Sequence, residues 1–100
     1  MSKSNALLVL HNKVLLKSGV IVETKVWRIE GDQRYQDGFK YSLFAVHAGE
    51  VIVGYDNHHP KGHHRHIGNS ELEYNFSTLE KLRNDFKADL EVELAKRALE

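Results

Sequence analysis

The feature that most restricts the fold of this chain is the rhythm of residues 20–56, where short β-prone runs end repeatedly at turn signals. Residues 20–29, VIVETKVWRI, are rich in β-branched side chains and mix apolar with charged positions, as a half-solvated strand does. A polar connection follows over residues 31–38, GDQRYQDG, with glycine at both ends. Residues 39–48 then alternate, with Phe39, Tyr41, Leu43 and Ala45 on one side and Lys40 and Ser42 on the other. Phe44 and Val46 make the far end of this run apolar on both faces, the mark of a central strand. Gly49 and Glu50 turn the chain into residues 51–56, which put Val51, Val53 and Tyr55 on one face. Strands joined by connections this short lie antiparallel beside one another, so the spacing predicts a meander.

The flanks complete the outline. Upstream, ALLVL and VLL are separated by His11, Asn12 and Lys13, a short polar break that predicts a tight hairpin. A helix over residues 5–17, ended by Gly19, is the competing reading. The apolar phase shifts between Val26 and Trp27, which suggests a bulge there. Downstream, Ser77-Thr78-Leu79-Glu80 reads as a capping box with Ser77 as the cap, and Leu79, Leu82, Phe86, Leu90 and Leu94 mark one helical stripe. A helix running to Leu99 spans roughly 30 Å at 1.5 Å per residue. Its last turns are then free to project or to pack on a partner, which admits a homo-oligomer through this helix. The expected fold is α+β: an antiparallel meander of four to six strands with a C-terminal helix packed on one face, forming a single domain over residues 1–100.

Composition narrows the function classes. With 100 residues the chain buries enough surface for one core without staples, and it has no cysteine to supply disulfides or thiolate ligands. The longest apolar run, residues 6–10, is far too short to span a bilayer, and the expected location is the cytoplasm. Formal net charge is zero, so no global field recruits nucleic acid and any anion-binding surface must be local.

Such a surface is offered by residues 55–67, YDNHHPKGHHRHI. Five of the seven histidines (His58, His59, His63, His64 and His66) fall within nine residues, with Lys61 and Arg65 among them and no acid between Asn57 and Asn69. Pro60 and Gly62 make residues 57–62 a loop, and residues 63–67 can re-enter the sheet. In an extended chain His64 and His66 share one face, and His63 and Arg65 the other. Three readings stand. Imidazole does acid and base chemistry near neutral pH, so His64 and His66 could act as catalytic acid and base on RNA, with Lys61 and Arg65 on the phosphate and Tyr55 as a phenolic donor. The same histidines with Asp56 could hold zinc or nickel, the alternative ligands being His58, His59, His63 and Asp56, although no recognised ligand spacing occurs. Or the segment is a solvated polar loop. Tyr35 and Tyr41, with Arg34 and Lys40, offer a weaker aromatic and basic combination, while Trp27, Phe39, Phe44 and Phe86 read as core.

Particular residues carry a resemblance to the TumE family of bacterial toxin–antitoxin toxins. They are Tyr55-Asp56-Asn57, then Lys61-Gly62-His63-His64-Arg65-His66, then Glu73, Tyr74 and Phe76, and finally Leu82, Phe86 and Asp89. The segment VETKVWRI is similar to that family's VExxIWxxP strand, with Glu30 in place of the proline, and Asn75 departs from the pattern after Tyr74. The resemblance implies a growth-inhibiting toxin partnered by a DNA-binding antitoxin; separately, because the ligand spacing matches no structural site and the core suffices alone, no metal cofactor is expected. By analogy with small RelE-like toxins, it also implies an RNA target, on the ribosome or off it. The family positions matched in the histidine segment are Tyr55, Lys61, His64, Arg65 and His66.

Overall fold

The computed structural model describes residues 5–99. Six strands, β1 (Asn5–Leu15), β2 (Ile21–Glu30), β3 (Phe39–His47), β4 (Glu50–Asp56), β5 (His64–Ile67) and β6 (Ser70–Glu73), precede one helix, α1 (Leu79–Lys96). The strands lie in the sheet in sequence order, each antiparallel to the next, so the α+β meander expected from the alternation is the fold. No helix among the described residues is long and apolar enough to cross a membrane.

The register sorts the side chains onto two faces. Val22, Thr24 and Val26 of β2 lie opposite Ala45, Leu43 and Tyr41 of β3. Leu43 and Ala45 in turn lie opposite Tyr55 and Val53 of β4. This face meets α1, whose Leu82 and Phe86 are buried there, with Leu79, Leu90 and Leu94 half-buried beside them. Burying these apolar groups is the main stabilising term of the domain. Among the described residues no helix covers the other face, and on it Glu23, Lys25 and Trp27 of β2 stand beside Phe44, Ser42 and Lys40 of β3.

Several local expectations are corrected. His11, Asn12 and Lys13 form no turn: they continue β1, opposite Lys25, Thr24 and Glu23, and His11 Nε2 lies 2.8 Å from a Glu23 carboxylate oxygen. The strand is polar there because it is an edge: His11 and Lys13 meet water on the uncovered face, and Asn12, beside Thr24 on the other face, is exposed as well. The irregularity near Val26 belongs to β1, where Val9 is the extra residue between Leu8, opposite Trp27, and Leu10, opposite Val26. A second shift, between Ala45 and Val46, places Ile52 in the core and leaves Val51 exposed. Thr78, one residue after the expected cap, caps α1: its hydroxyl accepts from Lys81 N at 3.1 Å. The offset makes Leu79 the first helical residue and sets Leu82 and Phe86 on the sheet. The helix stops at Lys96, Ala98 adopts a positive φ, and Leu99 folds back onto the core, so the last turns lie on the sheet rather than projecting.

Candidate functional site

The histidine segment is built by the β4–β5–β6 end of the meander. Asp56 lies opposite His64 and Gly54 opposite His66, while His64 and His66 face Glu73 and Glu71 across the next ladder. With a side-chain period of two, His64 and His66 project onto the uncovered face and His63 and Arg65 onto the helix face, as the extended reading expects.

On the uncovered face the groups converge. The His64 and His66 rings meet edge to face with centroids 5.3 Å apart. His64 is nearly buried. Its Nδ1 lies 2.8 Å from the Gly62 carbonyl oxygen, and its Nε2 lies 3.1 Å from Asp56 Oδ1 and 3.9 Å from Glu71 Oε2. A nitrogen facing a carbonyl oxygen must donate to it, so the second nitrogen, facing a carboxylate, needs a proton or a cation between the two atoms. His66 Nε2 lies 3.8 Å from Glu71 Oε2. Lys61 Nζ donates to both Glu71 oxygens at 2.9 and 2.7 Å, and this ammonium holds the Glu71 carboxyl below its usual range. One ligand atom each from Asp56, His64 and His66 lies within 4.8 Å of the others, so among the described residues this trio could hold a metal ion.

The helix face carries the rest of the segment. Tyr55 is fully buried and donates its hydroxyl to Asp89 of α1, while Arg65 Nη1 donates to the Tyr55 oxygen at 3.2 Å and to Asp89 Oδ2 at 3.3 Å. Burial and the Asp89 bond push the Tyr55 hydroxyl up to about 12, so it serves as a donor in this setting. Tyr74, beside Tyr55, donates to Asp85 at 2.6 Å. His63 lies flat against Phe76, with centroids 5.0 Å apart, and bridges the Tyr41 hydroxyl at 2.8 Å and Asp37 at 2.7 Å. Asn57 is buried and clamps β3: its amide oxygen accepts from Tyr41 N and its amide nitrogen donates to the Phe39 carbonyl.

The residues singled out in the sequence therefore divide into two groups. Lys61, His64 and His66 come together on the uncovered face, whereas Tyr55 and Arg65 tie the sheet to α1. Of the alternative metal ligands, Asp56 joins His64 and His66, His63 lies across the sheet, and His58 and His59 stay exposed in the loop. Asp56 as the partner of His64, and Glu71, were not assigned to the reaction. The signal for both was the hairpin pairing, which sets Asp56 and Glu71 beside the histidines once the loop over residues 57–63 closes. A family model described as "Toxin TumE" matches residues 4–94. No curated protein and no solved structure matches the chain.

Proposed function

The chain belongs to the TumE toxin family, a family of toxins from toxin–antitoxin systems, and from that premise we propose that it is a ribonuclease whose chemistry lies on the uncovered face. The observation that carries this reading is the pair His64 and His66, ring to ring, with Lys61 and two carboxylates around them. Cleavage at a 2′-hydroxyl needs a base, an acid and a cation. His66 takes the 2′-hydroxyl proton, O2′ attacks phosphorus, and the bond from phosphorus to the 5′ oxygen breaks. His64, both of whose nitrogens face acceptors, gives a proton to that leaving oxygen. Lys61 offsets the charge on the phosphorane. Tyr55 and Arg65 act at a distance, by fixing β4 and β5 against α1. The antitoxin that the family implies is the natural partner of the protein.

A second reading is favoured by one specific observation, the proximity of the Asp56, His64 and His66 donor atoms. Two imidazoles and one carboxylate suit zinc or nickel, which Asp56, His64 and His66 would hold and which would supply a Lewis acid to the reaction. Product analysis separates the two readings. Imidazole catalysis leaves a 2′,3′-cyclic phosphate and a 5′-hydroxyl end, with or without ribosomes in the assay, and continues in excess chelator. Cleavage that stops in chelator and returns with zinc would move the assignment to the metal.

A further inference from the structure

The uncovered face holds a second feature that neither the histidine chemistry nor the core uses. A cavity of about 370 Å³ opens beside the turn at Gln33–Tyr35, and its lining includes Trp27, Ile29, Arg34, Tyr35, Lys40 and His58. Its size falls in the range of small-ligand sites, about 300–1,000 Å³. Lys40 Nζ sits 5.5 Å from the centre of the Trp27 ring, and Asp32, the partner of Arg34, also lines the cavity. Arg34 is held by Asp32, with Nη2 2.7 Å and Nε 3.0 Å from the carboxylate oxygens, and its guanidinium lies over the Tyr35 ring. Tyr35 is buried, and its hydroxyl accepts from His59 N at 3.3 Å. The aromatic wall of the cavity is thereby tied to the loop that leads into β5.

Position decides what such a cavity suits. Trp27 and Lys40 are paired across β2 and β3, on the same face as Asp56 and His64. With strands about 4.8 Å apart, Trp27 lies roughly 15 Å from His64, a few nucleotides of extended strand. Ser42, opposite Asp56, lies on the way and has a small side chain. An indole face held by an ammonium offers an unpaired nucleotide both of its contacts: every base has a face to stack once the ammonium moves aside, and its phosphate takes the cation. A base-paired strand keeps its bases inside the duplex and cannot reach the ring.

We propose that the Trp27 cavity seats an unpaired base of single-stranded RNA, stacked on the indole with its phosphate on Lys40, while the strand runs on toward His64 and His66. The inference rests on the ribonuclease reading and gives that site a substrate class. On binding, the Lys40 ammonium leaves the ring for the phosphate.

Trp27 is the chain's only tryptophan, so its fluorescence reports the stack directly. Wild-type protein is titrated with a 2′-O-methyl hexanucleotide, which lacks the nucleophile and cannot be cut, and with a blunt duplex containing the same sequence. Saturable quenching by the single strand and little by the duplex is expected. By anisotropy of a labelled strand, Trp27→Leu weakens binding by about 5- to 150-fold, the worth of one stack. Lys40→Gln, an exchange that leaves the core untouched, weakens binding and flattens its salt dependence. Circular dichroism confirms that each variant is folded. Equal quenching by duplex, or quenching by an antitoxin alone and not by RNA, overturns the proposal. Cleavage by wild type that Trp27→Leu and Lys40→Gln leave unchanged removes the base seat while the ribonuclease stands. Quenching by a single strand that the protein never cuts removes the ribonuclease while the base seat stands.

Discussion

At the residue scale, the two faces of the sheet give neighbouring side chains opposite tasks. Tyr55 is sealed between β4 and α1, where Asp89 and Arg65 take its hydroxyl, while Asp56, one residue later, points the other way toward His64. Tyr55→Phe keeps the ring packing and loses only that hydrogen bonding, so it is expected to cost about 0.5–3 kcal/mol in urea unfolding and to leave RNA cleavage intact. A folded Tyr55→Phe protein that no longer cuts would put the phenol in the chemistry. Gly54 marks a close approach on the face that α1 leaves uncovered. A methyl group there would stand 2.5 Å from Phe44 Cε1, because the Phe44 ring lies across β4 at the one position without a side chain. Gly54→Ala is therefore expected to destabilise by about 1–3 kcal/mol, the usual penalty of overpacking. The same change should cost little in a Phe44→Ala background. An equal loss in both backgrounds would show that backbone freedom, and not the ring, requires the glycine.

At the element scale, α1 is a lid for the helix face only. Leu82 is fully buried, and Leu82→Ala is expected to lower stability by about 2–5 kcal/mol, measured by chemical denaturation. The start of the helix is also tied through charge. Lys81, and then the Tyr74 hydroxyl, hold the Asp85 carboxyl below its usual range. A carboxyl whose folded value is depressed stabilises the protein above its unfolded pKa of about 3.9 and loses that contribution as pH falls through the folded value. Asp85→Asn should thus flatten the fall of stability with acid below about pH 4, and an unchanged acid limb would remove Asp85 from that role. How far these elements were legible follows from their periods. The stripe of α1 and the alternation of β3 were plain because each repeats several times. β1 misled because its centre, His11 to Lys13, is polar on both faces of an exposed edge strand, and a polar break looks the same in a turn. The cap slipped by one residue because Ser77 and Thr78 are both good caps, and only the seat of Leu82 on the sheet chooses between them.

At the scale of the whole molecule, one face of a six-stranded meander packs on α1 and the other carries the histidine pair without a covering helix. The family and the pairing of His64 with His66 could be read from the chain, since both depend on local spacing. The separation of Tyr55 and Arg65 from that pair could not, because it depends on which face α1 covers. Nor could the Trp27 cavity, which forms only when the turn at Gln33–Tyr35 folds beside β2 and β3. The histidine pair lies apart from the apolar cluster that α1 seals, so protein stripped by chelator is expected to keep its melting temperature. A chelator-induced loss of fold would make the Asp56, His64 and His66 trio a structural metal site. The central claim is that His64 and His66 act together on RNA, and the direct measurement is the single-turnover cleavage rate of one RNA by purified wild type, His64→Ala, His66→Ala and the double variant. Each single change is expected to slow cleavage by about 10²–10⁴-fold. The double variant should be little worse than the poorer single, because groups that act as a unit do not lose activity additively. A folded double variant that cuts RNA at the wild-type rate would contradict the claim.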